Sequence, residues 1–333
     1  MPDLGIVVVS WNVRELLAAC LESVIGHGEL TTEIVVVDNA SSDGSAEMVR
    51  RHFPQVRLIA SDKNLGFAGG NNRGMRVWGL GEDQGAKSKV RVSDDASCSS
   101  HHAPRYILLL NPDTVVRGDA LETLVRFMDT TPQAGLCGAR LVYGDGTFQH
   151  SAFGFPGLWQ IALDSPGVPS RLSDSALNGR YSRRLYARGR PFEVDHPLGA
   201  AMLVRAETIR PVGLMDESFH MYCEEVDWCW RIKKAGWAIF CVPQAEIVHY
   251  GGQSTRQVRA EMIVALWTSR LRLYRKHYPA CKLTAARWLV RRKMRGELRR
   301  ADAMLACGDL DRATHAALSA AYRQMIELYA DRA

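Results

Sequence analysis

The sequence predicts an α/β protein, with a mostly parallel central sheet flanked by helices and a helical extension at the C-terminal end. Three observations carry this. Four short apolar runs alternate with stretches of helical spacing up to residue 110, polar residues follow each run, and the pattern is helical from about residue 256 onward. Continuous apolar strands belong to sheets covered on both faces. In such sheets ligands bind outside the carboxyl ends of the strands.

The elements follow in order. GIVVVSWN (5–12) reads as a buried strand. Asn12 and Glu15 then stand at N-cap and N3 spacing, a capping-box pattern, and Leu17, Cys20, Leu21 and Val24 continue at helical spacing. EIVVVDNA (33–40) is a second strand, and the turn after it leads into a short helix stopped by Pro54. VRLIA (56–60) is a third, whose loop NLGFAGGNN precedes a helix. RYILLL (105–110) is a fourth, ending in Asn111-Pro112-Asp113.

Between 79 and 104 the chain is rich in Gly, Ser, Asp and Lys, which predicts a mobile surface loop. Cys98, His101 and His102 lie in it and are read as part of a disordered insertion rather than a metal clip. Beyond it come a helix (ALETLVRFMDT), the strands AGLCGARLVY, FEVDH and AAMLVR, the acidic segment MDESFHMYCEEVDWCWR, and a strand pair around AIFCVP and AEIVHYGGQS.

Composition narrows the class. With 333 residues, 47% hydrophobic and 23% charged, the chain suits about two domains or one large one. No window approaches the ~18–20 apolar residues of a membrane span, and the N-terminus has no signal-peptide pattern. Eight cysteines form no CxxC pair, so the expectation is reduced thiols and a cytoplasmic setting. The net charge of +6 is uneven. Residues 256–300 hold 14 Lys/Arg against Glu261 and Glu297, a local +12.

Three places can carry chemistry. Asp113, at a strand tip, suits Mg²⁺ or Mn²⁺ on a phosphate group, because such ions take only one or two protein carboxylates. His249 precedes Gly251-Gly252 and Ser254, a loop able to approach an anion. Glu224, Glu225 and Asp227 open a helix among aromatic residues. A first-turn acid is favoured by the helix dipole alone, but a carboxylate in apolar surroundings can also serve as a general base.

Taken together, VVVSWN, VVVDNASSDGS, NLGFAGGNN, LLLNPDT, PLGAAMLVR, MDESFHMYCEEVDWCWR and VHYGGQS resemble glycosyltransferase family 2. These are inverting enzymes of the GT-A fold, and the resemblance is to the rhamnosyltransferase-like branch. It covers residues 5 to about 255 and implies a GT-A domain over 1–255, with a nucleotide-sugar half (1–115) and an acceptor half (116–255). Residues 256–333 then form the basic helical extension. It also implies roles. Asp38, with Asn39 and Asp43, would bind the base of the nucleotide, and Ser10, Asn12, Asn64, Gly66, Phe67, Asn71 and Asn111 would complete the donor site. Asp113 and His249 would hold the metal. Gly199, Ala200, Asp227 and Trp228 would face the acceptor, and Glu225, with Glu224, would be the base. The family usually has Glu-Asp where this chain has Glu224-Glu225, and the metal motif begins here with the neutral Asn111.

The implied reaction moves a sugar, foremost L-rhamnose from dTDP-L-rhamnose, to a saccharide or polyprenyl-linked saccharide during assembly of cell-surface polysaccharide. Related enzymes use UDP- or GDP-sugars. A dehydrogenase is set aside because no G-x-G-x-x-G follows the first strand. The alternative is a non-catalytic nucleotide-sugar-binding protein. For the basic extension, the readings are a solvated helix pair packed on the catalytic domain or an anionic surface on the inner face of the cell membrane. Nucleic acid is not expected, since no recognition motif accompanies the charge.

Overall fold

A computed structural model describes residues 2–26, 30–81, 103–163, 168–251 and 259–330. Most of the expected loop at 79–104, including Cys98, His101 and His102, lies outside these residues, as do Gly252, Ser254 and Val258.

The strands are β1 (Leu4–Ser10), β2 (Thr32–Asp38), β3 (Arg57–Ala60), β4 (Tyr106–Leu110), β5 (Thr114–Val116), β6 (Ala134–Val142), β7 (Phe148–Gln149), β8 (Ala152–Phe153), β9 (Phe192–Glu193), β10 (His196–Pro197), β11 (Ala201–Arg205) and β12 (Ala238–His249). Ten of them form one sheet in the order β3-β2-β1-β4-β11-β6-β12-β5, with β7 on β6 and β9 on β12. β1 to β4 pair in parallel, and so do β6 and β12. β11 runs antiparallel between β4 and β6. That reversal sets Ala201 opposite Leu110, so the start of β11 meets the end of β4.

The helices are α1 (Arg14–Val24), α2 (Ser45–His52), α3 (Gly66–Arg76), α4 (Ala120–Thr130), α5 (Leu158–Leu163), α6 (Ser170–Ser173), α7 (Arg183–Ala187), α8 (Ala206–Val212), α9 (Glu224–Lys234), α10 (Arg259–His277), α11 (Ala280–Ala306) and α12 (Arg312–Leu328). Alternation along β1 divides the core. Leu4, Ile6 and Val8 join residues of α1, α2 and α4, whereas Val7 joins Ala68 and Met75 of α3 and Trp228 of α9. This is the two-sided burial that the unbroken apolar strands require.

Three local expectations are corrected. Asn12 does not cap α1. It has φ +52°, its side-chain oxygen accepts from the Ser42 amide at 2.8 Å, and Val13 occupies the N-cap without a side-chain bond. The stretch GFAGGNN is helix, not loop. Glycine is a poor helix former, but a Cβ on Gly70 or Gly74 would stand 2.6 or 2.4 Å from a methyl of Val9 or Val7. The glycines let α3 lie directly on β1, and that packing outweighs their propensity. Finally, AIFCVP and AEIVH are one bent strand, β12, with a register shift between Val242 and Glu246. Pro243 falls at that shift, where a missing N–H costs no ladder bond.

The C-terminal extension is three helices rather than a solvated pair. Trp267, Tyr274, Val290, Met294, Tyr322 and Met325 build its core, which Ile161 of α5 and Trp230 of α9 also enter. The Tyr329 hydroxyl donates to the Trp267 carbonyl at 2.7 Å across the bundle. No helix among the described residues is long and apolar enough to cross a membrane.

Candidate active site

The carboxyl ends of β1 and β2 pair Ser10 with Asp38. Both side chains are buried, and Ser10 Oγ and Asp38 Oδ1 have no partner, while the other Asp38 oxygen accepts from the Ser41 amide at 3.1 Å. A buried polar atom without a partner costs about 1–3 kcal/mol, so these two point to a ligand's donors. Asn39 turns inward instead. Its amide donates to the Gly66 carbonyl at 3.0 Å and ties β2 to α3.

Several expected donor residues are scaffold. The carboxylate of Asp43 accepts from the Arg14 amide at 2.8 Å and from the Ser45 amide and hydroxyl at 3.0 and 2.6 Å. Burial works against its charge, but these bonds outweigh it and hold its pKa below the usual carboxylate range. Asn64 accepts from the Gly66 amide at 2.8 Å, and Asn71 donates back to the Phe67 carbonyl at 3.0 Å. Gly66, at φ +72°, has no room for a side chain: a Cβ would stand 2.1 Å from the His220 carbonyl oxygen. That same carbonyl accepts from the Phe67 amide at 3.1 Å, binding the start of α3 to the loop before α9.

Beyond β4, the Asn111 amide donates to the Ala200 carbonyl at 2.9 Å. Asp113 is nearly buried, and Oδ1 lies 3.4 Å from His249 Nε2. The adjacency follows from β5 pairing with β12, where Thr114 faces His249. The other ring nitrogen of His249, Nδ1, is 3.1 Å from Gln149 Oε1. Among the described residues no group of three or more His, Cys, Asp or Glu could hold a metal ion. Asp113 nevertheless supplies the one carboxylate that a hard cation can take from a protein when substrate phosphates complete its shell, and His249 Nε2 lies beside it. The residues fit the ion.

Gly199 closes the site. A Cβ there would lie 3.6 Å from the Phe67 ring tip and 3.7 Å from Glu225 Cγ, so Phe67, Gly199 and Glu225 converge. Glu224 is 4% exposed, and one carboxylate oxygen of each acid has no partner. Burial, and then the neighbouring Glu225, pushes Glu224 well above the usual range, and burial raises Glu225. The acids follow Tyr222 and Cys223, both left-handed at φ +69° and +68°. The only other non-glycine residues with positive φ among those described are Asn12 and Ala40, on the loops after β1 and β2. Strain of ~1–3 kcal/mol per residue collects at functional sites, and here all of it borders this one edge.

Two expected acceptor-side residues point elsewhere. Asp227 is fully buried and bonded to Arg231, Lys276 and His277, and Trp228 is sealed in the core with its indole donating to the Gly213 carbonyl at 2.9 Å. Helical spacing turns Asp227, at i+2, away from Glu225, and Trp228 is held in the core by its packing and its bond to Gly213. Gln149, Lys276 and His277 gave no signal in the sequence. Each reaches the site's surroundings through strand or helix packing, over separations of 100, 49 and 50 residues.

The fold is of the GT-A kind. The likeness to solved structures agrees: a mannosyltransferase from Pyrobaculum calidifontis, solved with GDP-Man and Mn²⁺, aligns with a TM-score of 0.55 at 16% identity, over 99% of this chain and 84% of that one. Residues 5–79 match the profile of Glycosyl transferase family 2. The N-acetylglucosaminyl-diphospho-decaprenol L-rhamnosyltransferase of Mycobacterium tuberculosis is 28% identical over 262 residues, 79% of this chain and 80% of that protein. The rhamnosyltransferase WbbL of Escherichia coli is 26% identical over 75% of this chain and 84% of its own. The chain carries a Glycosyl transferase family 2 segment and is similar over most of its length to rhamnosyltransferases; it is a glycosyltransferase.

Proposed function

We propose that this enzyme transfers L-rhamnose from dTDP-L-rhamnose, with inversion, to a polyprenyl-diphosphate-linked saccharide in cell-surface polysaccharide assembly. The observation that carries it is the convergence at one sheet edge of the unpartnered Ser10 Oγ and Asp38 Oδ1, the Asp113–His249 pair, and two acids of raised pKa. Its similarity to the two rhamnosyltransferases supports the choice of sugar and of a lipid-linked acceptor.

Ser10 and Asp38 receive the donor groups of the nucleotide base and ribose. Asp113 and His249, oriented by Gln149, would hold Mg²⁺ or Mn²⁺, which would neutralise charge on the departing diphosphate. Burial and the neighbouring Glu225 favour the protonated form of Glu224. Glu225, less enclosed, takes the proton of the acceptor hydroxyl. The acceptor oxygen bonds to the anomeric carbon as the bond to the diphosphate breaks on the opposite face, through an oxocarbenium-like state. One displacement inverts the centre.

The extension offers a surface for a lipid-borne acceptor. Trp288, Arg292, Arg295 and Arg299 are exposed on one face of α11, spaced four, three and four apart. Trp288 is 60% exposed, and neither it nor these arginines form an ion pair among the described residues. An exposed indole among cations suits an anionic lipid headgroup layer. Reversing the three arginines to Glu should abolish cosedimentation with phosphatidylglycerol vesicles while leaving phosphatidylcholine unaffected.

The test of the main reading is thermal stabilisation by dTDP, UDP and GDP, each with and without Mn²⁺, followed by transfer assays with the matching sugars. Ligand at ~100 times its dissociation constant adds roughly 2.7 kcal/mol. A metal-dependent shift with dTDP and transfer of rhamnose is expected. Turnover that survives both Asp113→Ala and Glu225→Gln would overturn the assignment.

A further inference from the structure

The acids at the site stand on an unfavourable turn, and something must hold it. Tyr222 and Cys223 are both left-handed, at φ +69° and +68°, a conformation costly for residues other than glycine. The contacts that secure the turn come from α10. Ser269 Oγ donates to the Met221 carbonyl at 2.7 Å, one residue before the turn. Leu273, fully buried, packs against Phe219, Cys223 and Val226. At the end of α10, Lys276 Nζ lies 3.0 Å from Asp227 Oδ2, and His277 Nε2 lies 2.8 Å from Oδ1.

This last contact is more than a surface ion pair. The Asp227 side chain is fully buried and shared with Arg231, whose other nitrogens donate to the carbonyls of Val212 and Leu214 at 2.7 and 2.9 Å. Lys276 also reaches Asp216 at 2.8 Å. His277 is 3% exposed and stacks on Trp230 at 4.5 Å. Its Nδ1 has no partner, which fits a neutral ring donating from Nε2. Losing one partner of such a buried charge is far more damaging than losing an exposed pair.

We infer that α10 is part of the catalytic apparatus, with Ser269, Lys276 and His277 acting as positioning residues that fix Glu225 by clamping both ends of the 221–227 segment. The inference rests on Glu225 being the base. It assigns the first helix of the C-terminal extension to the transferase site and reassigns Asp227 from substrate contact to anchor. Because Glu225 is followed by two core residues and an anchor, a small tilt of α9 moves its carboxylate relative to Gly199 and Phe67.

The experiment compares the full-length protein with Ser269→Ala, Lys276→Met, His277→Leu and His277→Gln. Readouts are kcat, donor KM, the acidic limb of the kcat profile and dTDP binding by titration. A misplacement near 1 Å costs on the order of 100-fold in rate, so kcat should fall by about 10- to 100-fold in His277→Leu and Lys276→Met. Donor KM and dTDP binding should stay close to those of the parent, and the acidic limb should move. Ser269→Ala should show a smaller fall, and His277→Gln, which retains an N–H donor, should recover part of the loss. Folded variants with parental kcat and an unmoved limb, even at lower Tm, would overturn the inference. Should Lys276→Met or His277→Leu not fold, Ser269→Ala and His277→Gln decide it alone. Glu225→Gln is assayed beside them: retained turnover there removes the base assignment and this inference with it. Lost turnover there with unaffected α10 variants removes only the positioning role.

Discussion

Gln149 Oε1 lies 3.1 Å from His249 Nδ1, leaving Nε2 of the same ring beside the Asp113 carboxylate. The contact selects the tautomer with its proton on Nδ1 and a lone pair on Nε2, the form that binds a cation. Gln149→Leu keeps the bulk and removes that acceptor. Loss of such an orienting partner costs about 10- to 100-fold in metal affinity or activity. A Mn²⁺ titration of turnover should therefore show a raised activation constant, with dTDP binding in the absence of metal unchanged.

Gly66 is held at φ +72° against the His220 carbonyl. Gly66→Ala adds strain of ~1–3 kcal/mol at a left-handed position, and the collision with His220 is additional. Urea denaturation should show at least that loss. The loop before α9 moves with His220, so kcat should fall as well.

Glu224 provides a pH test with a definite sign. Its folded pKa lies above the ordinary 4.5 because of burial and the adjacent Glu225. The stability tied to its protonated form is complete below 4.5 and is lost as pH rises through the folded value. Glu224→Gln cannot ionise, so its Tm relative to the parent should improve as pH rises above 4.5 and level off beyond the folded value. For Glu225, raised in the same direction, the acidic limb of kcat should sit above the ordinary carboxylate range.

His196 lies between Phe153 and Phe155, with ring centroids at 5.7 and 6.2 Å. Burial lowers its pKa from 6.5 to about 4. Here the unfolded chain takes the proton first, so stability falls as pH drops from 6.5 toward 4, by roughly 1.4 kcal/mol per pH unit for one proton. His196→Phe keeps an aromatic ring in the stack and removes the titration. Its urea midpoint should fall less steeply than the parent's over that interval.

Much of the candidate site is legible in the sequence. Ser10, Asp38, Asn111, Asp113 and His249 stand at or just beyond the ends of apolar strands, and a strand end is readable from the pattern of a few consecutive residues. Glu224 and Glu225 were readable as acids set among aromatics. The errors share a cause. NLGFAGGNN reads as a loop before a helix, but Val7 and Val9 lie beneath it and leave room only for glycine at Gly70 and Gly74. Asn12 and Glu15 matched a capping box, but Asn12 is engaged by Ser42 on the next loop.

Apolar periodicity and polar strand ends, which are local, thus determined an α/β sheet with its ligand edge, the family motifs along it and a basic helical extension. Which side chains are free for chemistry was decided only by tertiary structure. Asp227 and Glu225 are two residues apart in equally acidic sequence, yet one is bonded to Arg231, Lys276 and His277 and the other faces Gly199. Partners 50 or 100 residues away set those environments. Burial and hydrogen bonding depend on them, and no local pattern encodes where they will be.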